Sequence, residues 1–229
     1  MGLEANGIFN WKDMKRKRII RLLSAIIALS IFGSCGDSSK KVTAYRIQVS
    51  PAEAKGTSSD ASKELKTKTG KTIIISETHP VGQSLSTIAI NTKDFEHNFL
   101  EIYEDRDPIS DVLIADLDDN GFDEIYIITT SAGSGSYETV LGFASNKDKS
   151  LSMINFPEIQ EGDNSFKGYM GHDTFKIEER KLVRIFPIYN QGDTNQNPTG
   201  GTRKLIYGLY SGEAMWQLKV EKSEMLHGP

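Results

Sequence analysis

The chain has 229 residues of ordinary apolar content, which can bury one sizeable hydrophobic core or two small ones, and its single cysteine excludes an internal disulfide. The 27 Lys and Arg are concentrated towards the N-terminus, so that residues 73–229 hold 13 of them against 25 Asp and Glu, a net charge of −12. Such acidity argues against nucleic acid as a partner, because phosphate binding needs the opposite charge, and it favours a basic protein partner, although it would also serve solubility alone.

Residues 14–35 have the pattern of a bacterial export signal. Five Lys and Arg residues come first, an apolar run follows that is too short for a comfortable membrane span, and small residues precede Cys35. This ending resembles the lipidation site of bacterial lipoproteins. We therefore expect a signal peptide up to residue 34 and a lipid at Cys35 as the only membrane attachment, in the cell envelope on the periplasmic side or at the cell surface. Residues 1–13 have no role in such a signal, which indicates that translation starts at Met14.

Residues 35–71 are rich in Ser, Thr, Lys, Ala and Gly, and this composition predicts a flexible, disordered tether. From residue 72 onwards, short β-branched and aromatic runs alternate with turn residues, which is typical of an all-β sandwich or barrel. We predict an antiparallel β-sandwich over residues 72–229, with residues 145–159 as a loop. Besides the hairpin described next, the predicted strands are residues 72–77, 84–91, 99–104, 139–144, 174–178, 182–189, 204–210 and 216–220.

Residues 111–137 are the most informative part of the chain. Two β-branched runs flank an acidic turn of Asp, Asn and Gly residues, a pattern that predicts a hairpin. After Thr130 come six residues with almost no side-chain bulk, and Tyr137 stands at their end. Such a loop can enter a narrow space.

The acidic turn has the oxygen-ligand spacing of loops that bind calcium. The pattern does not continue as an EF-hand, whose twelfth position would be Ile127, and it occurs once rather than in the several copies of a propeller. We therefore favour a structural turn and expect no metal or other cofactor, with a calcium site as the alternative. The candidate ligands of that alternative are Asp116, Asp118, Asn120 and Glu124.

No enzyme motif is present: the chain lacks H-E-x-x-H, a P-loop and G-x-S-x-G, and its four histidines show no ligand spacing. A nucleophilic serine in the segment GSGSY would need a base such as His172. We predict that the protein is not an enzyme, with a hydrolase that uses paired carboxylates as a remaining alternative.

A second polar loop follows residue 188 and is longer than a hairpin needs, which is typical of functional or internally bonded loops. Its candidate residues would form a second binding surface or stiffen the loop, and we favour stiffening. They are Tyr189, Asp193, Asn195, Thr202 and Arg203.

Several separated motifs carry a family resemblance. The segments DLDDNGFDEIYI, GSGSY, GYMGHD, FPIY, GDTN and NPTGGTR follow in this order between residues 111 and 220. Together they resemble the periplasmic inhibitors of invertebrate-type (i-type) lysozyme. The resemblance implies a β-sandwich that inserts an S-G-x-Y loop into the lysozyme active-site cleft and so protects peptidoglycan, without a cofactor. The implied lysozyme-binding residues are Gly133, Ser134, Gly135, Ser136 and Tyr137. The lipoprotein leader and the tether depart from that family, whose members are soluble in the periplasm.

A second function remains open, that of a calcium-dependent carbohydrate- or protein-binding module of the envelope. Exposed edge strands of a β-sandwich would also allow a homodimer.

Overall fold

A computed structural model describes residues 59–226 of the chain. The predicted signal peptide, the N-terminal extension, Cys35 and the first part of the tether lie outside these residues. The described part contains twelve strands, a 3-10 helix at Asn164–Phe166 and no α-helix, and hence no helix long and apolar enough to span a membrane. The strands are β1 (Ser59–Lys66), β2 (Thr72–His79), β3 (Ser86–Lys93), β4 (Leu100–Arg106), β5 (Ile109–Ala115), β6 (Glu124–Thr130), β7 (Glu138–Ser145), β8 (Leu151–Asn155), β9 (Thr174–Glu178), β10 (Lys181–Pro187), β11 (Thr202–Ser211) and β12 (Trp216–Leu226).

The strands form two sheets, and the predicted all-β sandwich is confirmed. The smaller sheet is antiparallel with the order β1-β2-β3-β4, and the larger one has the order β5-β6-β7-β8-β12-β11-β10-β9. All neighbours in the larger sheet are antiparallel except β8 and β12, which pair in parallel through Trp216 with Ile154 and Gln217 with Asn155. The end strands β5 and β9 contact each other, so the larger sheet curls round on itself.

Strand β6 lies at the centre of the fold because both of its faces are buried. Tyr126 and Ile128 pack into a core enclosed by the curled sheet, whereas Ile125 and Ile127 pack into a second core against the smaller sheet. Alternating side chains of one strand point to opposite faces, so an unbroken apolar run is what a strand between two cores requires. The first core also includes Phe175, Leu182, Phe186, Leu205, Tyr207 and Leu218, and the second includes Ile73, Ile75, Ile88, Ile90 and Phe143.

The predicted C-terminal boundary of the tether lies too far along the sequence. The tether was expected to reach residue 71, whereas Ser59–Lys66 is the edge strand β1, paired antiparallel along all of β2. The sequence of this strand is polar, and only Leu65 packs against the core of the smaller sheet. Its conformation therefore depends on backbone pairing with β2 and not on a hydrophobic pattern. Lysines suit such an exposed edge because they discourage pairing with other chains.

The prediction of a loop over residues 145–159 was wrong for Leu151–Asn155, which form β8. Only Leu151 and Ile154 of this five-residue strand are buried, too few to produce a periodic pattern in the sequence. Strand β8 exists because β7 and β12 pair with its two edges.

Replacing one isoleucine of the central strand tests the role of β6. Ile127 is fully buried, and we expect Ile127→Ala to lower the free energy of unfolding by about 2–5 kcal/mol, because it removes apolar contacts and leaves a cavity. The matched control is Ile102→Ala on β4, where the side chain is 60% exposed and the change should stay within about 0.5 kcal/mol. Chemical denaturation of both variants measures the difference, and equal losses would contradict the central position of β6.

Candidate functional site

The small-residue loop joins β6 to β7 and is closed by its own hydrogen bonds. The backbone N–H of Ser131 donates to the carbonyl oxygen of Tyr137 at 2.9 Å, and the N–H of Tyr137 donates to Ser131 Oγ at 3.0 Å. Within the loop, the N–H of Ser136 donates to the carbonyl oxygen of Gly133 at 3.0 Å. Ser136 has a φ of 42°, a left-handed conformation that a non-glycine residue keeps only where its surroundings impose it. The loop therefore has one defined shape.

The loop presents its residues to solvent unequally. Gly133 and Ser134 are exposed, Gly135 and Ser136 are half-buried, and Tyr137 is 43% exposed. The Tyr137 ring packs edge-on against the ring of Tyr169, with 5.6 Å between centroids. A Cβ atom at Gly135 would collide with the Tyr137 ring, so a glycine is needed beneath it. Tyr137 is thus held on one side and free on the other.

Asn195 connects the two loops that the sequence singled out. Its side-chain Nδ2 donates to the backbone carbonyl oxygen of Ser134. Its backbone carbonyl oxygen accepts from the hydroxyl of Tyr189 at 3.0 Å. Its Oδ1 lies 3.2 Å from Nε2 of His172. The sequence predicted Asn195 and Ser134 as members of separate sets, and the fold brings them into contact.

Asp193, Thr202 and Arg203, the other candidate residues of the second polar loop, bond to other parts of the structure. Asp193 accepts from the N–H groups of Asn190 and Thr199 at 2.7 and 2.8 Å, which lowers the pKa of its carboxyl group and closes its own loop. Thr202 and Arg203 belong to β11, where Arg203 Nη1 donates to Ser223 Oγ at 3.0 Å. Among the described residues, these last two make no hydrogen bond to the loop of residues 131–137.

A third segment, with Gly171 and His172, also supports the loop. The backbone N–H of His172 donates to the carbonyl oxygen of Gly135 at 2.7 Å. The preceding residue, Gly171, has a φ of +90°, and a Cβ atom there would collide with the same carbonyl oxygen. Only glycine allows the two backbones to approach so closely.

Beneath the loop lies a buried ion pair that sequence reasoning missed. Arg184 is 2% exposed, and its Nε donates to Asp173 Oδ1 at 2.7 Å. Oδ2 of Asp173 accepts from the hydroxyl of Tyr169 at 2.6 Å and from the N–H of Glu138 at 3.0 Å. Burial works to lower the pKa of Arg184, but Asp173 raises it overall. The one available signal was a lone arginine within the apolar strand KLVRIFP, which indicates a buried partner.

A cleft of about 880 Å³ opens beside Tyr137. Tyr103, Phe156 and Tyr169 contribute apolar walls, and Glu138 is among its lining residues. Burial, together with the nearby carboxylate of Asp173, raises the pKa of Glu138. The cleft is suited to an apolar group that also carries a hydrogen-bond donor.

The acidic turn between β5 and β6 gathers three carboxylates. Oxygens of Asp116, Asp118 and Glu124 lie within 4.8 Å of one another. Asp116 accepts from the N–H groups of Asn120 and Gly121 at 3.1 and 3.0 Å, and the Lys68 ammonium group pairs with it. Although burial opposes ionisation of Asp116, these partners lower its pKa, whereas burial raises the pKa of Glu124 to about 8.

Substituting Gly171 tests how tightly the loop is held. We expect Gly171→Ala to cost about 2 kcal/mol more stability than Gly162→Ala, because both glycines have positive φ values, of +90° and +81°, but only Gly171 faces the carbonyl oxygen of Gly135. The midpoint of thermal or urea unfolding measures the difference. Equal destabilisation would mean that the loop moves away freely and is not clamped.

Comparison of the chain with protein-family models, with curated proteins and with solved structures found no match in any of the three. These comparisons therefore assign the chain to no family.

Proposed function

We propose that the domain is a protein inhibitor of i-type lysozyme that inserts the loop of residues 133–137 into the lysozyme active-site cleft. The observation that carries this proposal is the geometry of that loop, which is narrow, closed by hydrogen bonds and exposed at Ser134 and on one side of Tyr137. The ordered series of motifs that resembles such inhibitors supports the same function.

The chemistry of the loop suits a cleft that hydrolyses a glycosidic bond. Such a cleft displays two carboxyl groups flanking the substrate. The hydroxyl of Ser134 can donate to a carboxylate, and Tyr137 offers an apolar ring face with a polar tip. Glycines on both sides of Ser134 let the two backbones approach closely. The loop would occupy the place of the substrate without offering a bond to cleave, so inhibition would be competitive and would need no cofactor.

Preorganisation of the loop supports tight binding. A loop that must be ordered on binding loses conformational entropy, and this loss subtracts from affinity. Here Asn195 and His172 already hold the carbonyl oxygens of Ser134 and Gly135 in the free protein. Most of the ordering cost is therefore met during folding.

The proposed location follows from the N-terminal sequence. A lipid on Cys35 would anchor the domain in the bacterial envelope, where a lysozyme attacks peptidoglycan. The acidic charge of residues 73–229 would attract a basic lysozyme to that surface.

A lysis assay with three lysozyme types tests the function. Purified protein is added to cell-wall substrate with i-, c- or g-type lysozyme, and we expect loss of the i-type activity alone. Retention on glycan that requires calcium, without inhibition, would favour a binding module instead. Release of product without added lysozyme would favour a hydrolase.

The loop residues are tested by substitution. We expect Ser134→Ala and Tyr137→Ala each to raise the inhibition constant by tens-fold, because a hydrogen bond to a charged group contributes about 1.5–3 kcal/mol and an anchoring tyrosine about 2 kcal/mol or more. Tyr137→Ala should also cost about 1 kcal/mol of stability, because it removes the edge contact with Tyr169. The measurements are inhibition constants per folded molecule and unfolding midpoints.

Matched controls lie on β11. Tyr210 is 42% exposed, nearly the same as Tyr137, and Ser211 is exposed like Ser134. Tyr210→Ala and Ser211→Ala should leave the inhibition constant unchanged. If Tyr137→Ala inhibits as well per folded molecule as Tyr210→Ala does, the inserted-loop mechanism is wrong.

Electrostatic attraction predicts a salt-dependent association rate. With a net charge of −12 in residues 73–229, association with a basic lysozyme should slow as ionic strength rises, because charges are screened beyond about 8 Å at physiological salt. The dissociation rate should change much less. Stopped-flow mixing at low and at physiological ionic strength measures both, and a flat association rate would leave the acidity as a solubility feature.

A further inference from the structure

Glu124, the first residue of β6, has an oxygen atom that lacks a partner. The side chain is fully buried, at 0% exposure, and its Oε2 accepts from the N–H of Leu117 at 2.8 Å. Its Oε1 is buried as well, and no group among the described residues donates a hydrogen bond to it. Burying a carboxylate oxygen without a partner is costly, so such an atom calls for a ligand that is absent from the protein itself.

The Glu124 side chain extends towards two further carboxylates. Carboxylate oxygens of Glu124, Asp116 and Asp118 lie within 4.8 Å of one another. Two oxygens bound to the same Ca²⁺ lie at most about 5 Å apart, since each ligand is about 2.3–2.6 Å from the ion. Ionised carboxylates at this distance repel one another, and a cation bound between them relieves this repulsion.

We propose that the turn between β5 and β6 is a Ca²⁺ site formed by Asp116, Asp118 and Glu124, with Asn120 as a further oxygen donor. All the available donors are oxygens, which suits a hard cation. Ca²⁺ tolerates irregular coordination, whereas Mg²⁺ demands a near-octahedral shell, so the turn should prefer Ca²⁺. The spacing alone favours a structural turn, and the buried oxygen of Glu124 is the observation that changes this balance.

Lys68 acts as an internal competitor for the site. Its ammonium group pairs with Asp116, it extends from the turn between β1 and β2, and its side chain is 45% exposed. The pair leaves Oε1 of Glu124 unsatisfied. Because the ammonium group can move into solvent, an entering Ca²⁺ would displace it from Asp116. This inference does not depend on lysozyme inhibition.

Calorimetric titration of the chelator-treated full-length chain with CaCl₂ tests the proposal, together with the melting temperature at rising Ca²⁺. We expect one Ca²⁺ per chain, weaker binding of Mg²⁺, and a melting temperature that rises with Ca²⁺ because binding stabilises the folded state. Glu124→Gln and Asp118→Asn should each weaken binding at least about tenfold by removing a charged ligand. Lys68→Met should strengthen binding, which a merely structural turn would not show.

The matched control is Asp119→Asn. Asp119 lies in the same turn, but its carboxylate is exposed and pairs with Arg180, so this variant makes the same charge change without removing a ligand. Its Ca²⁺ affinity should stay within about threefold of the original, as for other exposed charges. If CaCl₂ produces neither heat of binding nor a rise in the melting temperature, the proposal is wrong. Equal weakening of Ca²⁺ binding by Asp118→Asn and Asp119→Asn also overturns the proposal, because it would show a general attraction to negative charge. If Glu124→Gln fails to fold, Asp118→Asn still tests the site.

Discussion

The candidate loop depends on the buried ion pair between Arg184 and Asp173. A guanidinium group removed from water is tolerated only when its charge is paired and its donors are used, and here Nε bonds to Asp173 while Nη2 bonds to the hydroxyl of Tyr169 at 2.6 Å. The guanidinium carbon lies within 5.8 Å of four aromatic ring centroids, which adds cation–π attraction. Asp173 then binds the backbone of Glu138, the residue after Tyr137. The same pair therefore positions Tyr169 beneath Tyr137 and fixes the point where the loop rejoins the sheet.

This arrangement explains how a loop of very small residues can hold one shape. Such residues have few side-chain contacts of their own, so the order has to come from neighbouring segments. Asn195 binds Ser134, the backbone of His172 binds Gly135, and Tyr169 supports Tyr137. Two segments distant in sequence, one with Tyr169 and His172 and the other with Asn195, hold different parts of the loop, which leaves its tip and the outer side of Tyr137 free for a partner.

Local sequence pattern predicted the parts of the fold that local forces determine. The β-branched runs around the acidic turn became β5 and β6, and the run TFKIE became β9 over the predicted residues, because an apolar face must be buried. Strands β1 and β8 were missed because pairing with neighbouring strands, and not their own sequence pattern, makes them strands. Strand β1 pairs along one edge with β2, and β8 pairs along both edges with β7 and β12. The loop itself was predicted from its composition, but its contact with Asn195 joins residues 61 positions apart and could not be read from either segment.

The position of β12 has a consequence for how the domain assembles. It is the last described strand in sequence, yet it lies inside the larger sheet, between β8 and β11. The hairpins of β5 to β8 and of β9 to β11 can form from neighbouring residues. Among the described strands, backbone pairing links these two groups only through β12, whose pairing with β8 comprises two residue pairs. As the chain emerges from the ribosome, β8 keeps an open edge until Trp216 and Gln217 arrive. Completion of the sheet is therefore a late, non-local step. Among the paired strands of the larger sheet, β8 and β12 should separate first.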